Sequence, residues 1–184
     1  MGEFPWMVAI LESGSGNFVC GGSLVDELVV LTAAHCVAGR TPGSLIARLG
    51  EWDASSTTEY YKHQDITPKS IIIHPNFYPP GAFNDVALLV LSSPADISQP
   101  HVGLSCIPDP SDTFILDGCT VIGWGKETFN SAGISAVLRK TVVPLVAHPA
   151  CQASLQSAKL GPRFRLHESF LCAGGQVGEK EWLS

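Results

Sequence analysis

Charge is scarce in this 184-residue chain: charged residues make up 15% of it, against 45% apolar. That balance belongs to a globular protein and excludes a disordered one. The length fits one domain of ordinary size with a real core. The net charge of −6, with no Lys/Arg cluster, argues against a nucleic-acid partner. No apolar run approaches the roughly 18 residues of a membrane span, and the longest, such as 28–31, are strand-sized. No basic stretch leads into an apolar one after Met1, so no signal peptide is read. Trp6 stands where a myristoylation signal wants Ser or Thr, and no Asn-x-Ser/Thr sequon occurs. Neither His-Glu-x-x-His nor Cys-x-x-Cys is present, and His63, His74, His101, His148 and His167 lack metal-ligand spacing. Those histidines read as surface or turn residues, and no metal or cofactor is expected. Trp6, Trp52 and Trp124 read as core or seam residues rather than ligand platforms.

Turn formers, by contrast, are plentiful. Thirteen prolines and eighteen glycines are scattered along the chain, a pattern of many short strands joined by turns. Strand-like runs fall at 6–11, 22–25, 28–32, 44–49, 70–73, 86–91, 119–124 and 138–146. One segment reads as a helix: Pro149 in a first-turn position, residues 150–159, then Gly161 and Pro162 as a stop. The Pro-, Ser- and Asp-rich stretch 92–112 reads as a connector between two halves. An antiparallel sandwich or barrel follows from this pattern. Six cysteines, an even number, favour a disulfide framework and an extracellular setting. Without a leader in the chain, that expectation requires upstream sequence to have been lost or trimmed.

Two segments carry chemistry. In Leu31-Thr32-Ala33-Ala34-His35-Cys36 an apolar run and two small residues precede an imidazole and a thiol. A buried strand can deliver His35 to a cleft edge this way, and Cys20, ahead of Gly21-Gly22-Ser23-Leu24, is well placed to be the partner of Cys36. Such a bridge closes a loop of about 15 residues and is worth about 3 kcal/mol in the chain-entropy model. In Asn84-Asp85-Val86-Ala87-Leu88-Leu89 a single acid heads an apolar strand. There Asp85 could accept the Nδ1–H of His35, set its tautomer and stabilise its protonated form. Taken alone, a His beside a Cys is more often structural, and an Asp before a strand is usually a turn or cap residue.

Together these segments, with Gly123-Trp124-Gly125, an opening Pro5-Trp6 and a closing Cys172-Ala173-Gly174-Gly175, occur in the order found in chymotrypsin-like (S1 family) serine peptidases, which the chain resembles from about Gly2 to Gly175. The resemblance implies an all-β fold of two antiparallel six-stranded barrels with a cleft between them. The first barrel, about 1–95, is expected complete. A connector spans about 96–117, an incomplete second barrel about 118–175, and a divergent tail 176–184. By resemblance His35 corresponds to the general base and Asp85 to the residue that orients it. Cys20 would pair with Cys36 and Cys151 with Cys172, leaving Cys106 and Cys119 without their usual partners. Cys106 would normally reach an upstream pro-segment. The runs Gly2-Glu3-Phe4-Pro5-Trp6-Met7-Val8-Ala9-Ile10, Gly50-Glu51-Trp52-Asp53 and Ile71-Ile72-Ile73-His74-Pro75-Asn76-Phe77 look like clip-domain serine proteases and their non-catalytic homologues.

The family's Gly-Asp-Ser-Gly-Gly-Pro segment does not occur in the 184 residues, nor does an Ile-Val-Gly-Gly amino terminus. Ser184, without flanking glycines, is not nominated as a nucleophile. The chain as given is therefore expected to be inactive. Three readings follow: a fragment of a secreted endopeptidase acting on protein or peptide substrates; a non-catalytic homologue that binds a protease or zymogen in an extracellular immune cascade; or a product that does not fold, its unpaired strand edges exposed.

Overall fold

The computed structural model describes residues 2–56, 58–109, 111, 118–126 and 133–174; the expected tail 176–184 lies outside them. The chain divides into two compact units, 1–109 and 110–184.

The first unit is one antiparallel sheet built from β1 (Met7–Glu12), β2 (Phe18–Asp26), β3 (Val29–Thr32), β4 (Leu45–Leu49), β5 (Gln64–Ile66), β6 (Pro68–Ile73) and β7 (Ala87–Leu91). Its spatial order is β5-β4-β1-β2-β3-β7-β6. The edge strands β5 and β6 are neighbours in the chain, separated by Thr67 alone. One bent run thus pairs with β4 through its first half and with β7 through its second. That pairing is possible only if the sheet curls until its two edges meet, which removes the unpaired edges an open sheet would expose. Counted with the bend, the seven strands are six staves.

Alternation at period two directs the core. Leu45, Ala47 and Leu49 of β4, and Ala87, Leu89 and Leu91 of β7, are buried while the residues between them are not. They meet Val8, Ile10, Leu24 and Val30 inside the curl. The central strand β1 is buried on both faces from Met7 to Leu11. Between β2 and β3 the packing is so close that a Cβ on Gly22 would fall 2.7 Å from Val30 Cγ1.

The stretch from Ala95 to Ser105 is laid onto this sheet. Asp96 and Gln64 exchange two hydrogen bonds, Gly103 N–H donates to Pro5 O, and Ser105 N–H donates to Leu24 O. His101, read from sequence as a surface or turn residue, is 5% exposed. Its ring stacks on Tyr61 at 4.9 Å between centroids, and Nε2 lies 3.0 Å from Lys62 O. Trp52, expected in a core or seam, is instead 41% exposed in the loop after β4. Trp124 is buried and Trp6 packs against the core, as expected.

Opposite each other in the register of β4 and β5 stand Arg48 and Asp65, joined by two hydrogen bonds of 2.8 Å. The Arg48 hydrogen bond holds the Asp65 carboxyl below its usual range. Stability from this pair is therefore present above the ordinary carboxylate pKa, about 4, and is lost as pH falls through the lowered folded-state value. Glu51 acts with the opposite sign: desolvation first, then Glu59, raises its pKa, so acidification relieves a cost. Asp65→Asn is expected to lower stability by about 0.5–1 kcal/mol at pH 7, the pair being partly exposed, and by nothing once wild-type Asp65 is protonated. Thermal unfolding of both proteins at pH 7 and in strong acid measures this; an equal deficit at both pH values contradicts it.

In the second unit the described residues form two two-stranded antiparallel sheets and one helix, an incomplete second barrel. Strands β8 (Cys119–Gly123) and β9 (Arg139–Val143) pair, as do β10 (Leu145–Val146) and β11 (Cys172–Ala173). The single strand expected over 138–146 is split at Pro144, which has no N–H to give a ladder. The helix expected over 150–159 runs from His148 to Leu155, with Pro149 in its first turn, and continues as a wider turn over Gln156–Leu160.

Candidate functional site

Strand pairing brings His35 and Asp85 together. Antiparallel β3 and β7 end with Thr32 opposite Ala87. The chain leaving β3 therefore passes the chain entering β7, and residues a few positions beyond one strand face residues just ahead of the other. Past Thr32 the backbone folds into a short helix, α1 (Ala34–Val37), whose first residue, Ala34, is fully buried. Before Ala87 it makes a tight turn in which Asn84 takes φ 55° and donates from its side chain to Asn76 O at 2.9 Å. Asn is among the few residues that adopt this conformation readily.

The result is a double clamp. Asp85 Oδ2 lies 2.5 Å from His35 Nδ1, and Asp85 Oδ1 accepts the His35 backbone N–H at 2.7 Å. The second bond fixes the peptide that carries the imidazole, so ring position and ring tautomer are set by one carboxylate. The first contact is the one expected of Asp85 from the two motifs; the second has its signal in the register of two strands and not in either motif. The His35 side chain is 63% exposed and that of Asp85 21%. With Nδ1 engaged, Nε2 is the free face of the ring, able to take or give a proton. It lies 3.4 Å from Cys36 Sγ.

Cystine bonds join Cys20 to Cys36, across β2 and α1, and Cys151 to Cys172, across the second-unit helix and β11. Cys106, exposed, and Cys119, half-buried, are free thiols. Sγ of Cys20, Sγ of Cys36 and a ring nitrogen of His35 all lie within 4.8 Å of one another. Because the two sulfurs are bonded to each other, the trio offers no thiolate to a metal. His63 lies 3.2 Å from Glu51, in the charge network around Arg48, and His74 Nδ1 accepts the Asn76 N–H. His148 and His167 occur in the second unit.

A curled antiparallel sheet that presents a carboxylate-clamped histidine beside a cystine is the arrangement of the serine-peptidase class of domains. The family model for trypsin matches residues 1–182, and the chain belongs to the trypsin family. It is 42% identical over 181 residues to the inactive CLIP domain-containing serine protease A28 of Anopheles gambiae, covering 95% of this chain and 46% of that protein. It is 42% identical over 190 residues to phenoloxidase-activating factor 2 of Galleria mellonella, covering 96% of this chain and 62% of that one. A third relative, the inactive CLIP domain-containing serine protease A8 of Anopheles gambiae, is 40% identical and half covered. The chain thus spans roughly half the length of the relatives it matches.

Proposed function

We propose that this trypsin-fold domain belongs to a longer, secreted, non-catalytic serine protease homologue that binds a protease or its zymogen in an extracellular proteolytic cascade. The observation that carries this reading is the pair of relatives at 42% identity, one named inactive and the other an activating factor. A protein similar to both is read as one that promotes activation without cutting. His35 and Asp85 are assigned to the general-base and orienting positions of a serine-peptidase triad, supported by the 2.5 Å contact between them. In a binding protein that pair keeps the structural half of its role: it ties the end of β3 to the start of β7. Secretion is supported by the two cystines. No described helix is long and apolar enough to cross a membrane.

A second reading, a working endopeptidase, is favoured by the intact geometry of His35 and Asp85, which is that of a competent base and its orienter. Adding the native protein to a clip-domain protease and its zymogen separates the two. The binding reading predicts faster zymogen processing only when the protease is present. Processing of the zymogen by the native protein alone overturns it and selects the second reading.

A further inference from the structure

The free face of His35 points at a sulfur. Among the described residues, Cys20, His35 and Cys36 are the one group of three whose ligand atoms all lie within 4.8 Å of one another; the Cys151 and Cys172 sulfurs belong to no such group. Burial does not separate the two cystines, since Cys36 is 7% exposed and Cys151 8%. They differ in the imidazole: His35 Nε2 lies 3.4 Å from Cys36 Sγ, and Nδ1 is held by Asp85. A proton donor within reach of a disulfide sulfur accelerates exchange, because the departing thiolate leaves faster when its charge is neutralised as it forms.

We propose that the Cys20–Cys36 cystine is a thiol-exchange site, opened by a low-molecular-weight thiol of the glutathione class, with His35 delivering the proton to the departing sulfur. In the first step the thiolate sulfur of the incoming molecule bonds to Cys20 Sγ. The Cys20–Cys36 bond breaks, and its electron pair goes to Cys36 Sγ. The proton on His35 Nε2 passes to Cys36 Sγ, giving a thiol, while Asp85 stabilises the imidazolium before transfer and the tautomer after it. In the second step another thiol attacks the mixed disulfide at the small molecule's sulfur. Cys20 leaves as a thiolate that takes up the remaining proton, and the two small molecules depart joined as a disulfide. Two thiols are oxidised and one cystine is reduced. His35 acts on the reacting atoms; Asp85 is a positioning residue. The consequence is local: α1, which carries His35, is released from β2. This step stands apart from the binding role proposed above, since failure of either leaves the other in place.

The test is timed reduction of the native protein by glutathione, with free thiols alkylated at intervals and the Cys20, Cys36, Cys151 and Cys172 peptides quantified by mass spectrometry. Cys20–Cys36 is expected to open before Cys151–Cys172. His35→Ala should slow that opening about a hundredfold, the lower end of what a positioned proton donor contributes. Asp85→Asn should give a smaller slowing. Loss of fold would expose the sulfurs and speed reduction, so slowing cannot come from unfolding. If His35→Ala does not fold, as circular dichroism would show, His35→Gln carries the same test. A folded His35 variant that opens as fast as wild type or faster overturns the proposal.

Discussion

Gly50→Ala is expected to destabilise the first unit by about 2–5 kcal/mol, through backbone strain and steric overlap together. Gly50 takes φ +75° where β4 turns into the following loop. An L-residue held in that region costs about 1–2 kcal/mol. The overlap costs more. A Cβ would press into His101 Cδ2, lying 2.9 Å from the ring's Nε2 and 3.0 Å from Val102 Cγ2. His101 has little room to yield, being buried, stacked on Tyr61 and within hydrogen-bond distance of Lys62 O. Overpacking of this kind costs about 1–3 kcal/mol. Gly39 isolates the backbone strain, because it has φ +77° and nothing within 4 Å of its would-be Cβ. Gly39→Ala should therefore cost only about 1–2 kcal/mol. In thermal unfolding, Gly50→Ala should lower Tm by on the order of 10 °C and Gly39→Ala by clearly less. Equal shifts for the two variants would mean that the His101 contact is not what fixes Gly50.

Replacing Cys20 and Cys36 together by Ala should cost about 3 kcal/mol, the chain-entropy value for a loop of this size. The bond spans 16 positions and lies within the first unit, whereas Cys151–Cys172 lies within the second. In urea unfolding followed by probes in each unit, the first transition should move to lower denaturant while the second stays. The His35–Asp85 contact should survive, because Asp85 holds both the ring and the peptide of His35 independently of the cystine. A double variant with unchanged midpoint would show that the sheet alone determines the stability of that unit. A variant that loses the His35–Asp85 contact would show that the cystine positions the histidine.

Much of this architecture was legible in the sequence, and the physical reasons for success and failure differ. His35 and Asp85 stood out through their motifs taken together, which resemble a known family; alone, each reads as structural, and the structure shows their contact. Strand β5 was not found: Gln64–Ile66 is short, polar at its start, and separated from β6 by a single residue before Pro68. Its existence depends on β4 offering a partner edge, which no local pattern encodes. The same holds for Arg48 and Asp65, which are 17 positions apart and meet only through register. His101 was misread because a histidine in a Pro- and Ser-rich stretch reads as surface. It is buried because Gly50 leaves space and Tyr61 supplies a ring face. Pro144 could have been used to split the strand expected over 138–146, since a proline in mid-run argues against an unbroken ladder.

The binding role proposed for this trypsin-family domain requires that the native protein carry no activated serine. The most direct measurement is to treat the native protein, purified from its source, with a fluorophosphonate probe that phosphonylates an activated serine, and to search for the adduct by mass spectrometry. No labelled serine is expected at probe concentrations that fully label a trypsin-like enzyme treated alongside. A serine labelled stoichiometrically, with labelling lost in His35→Ala, would contradict it and establish a working peptidase.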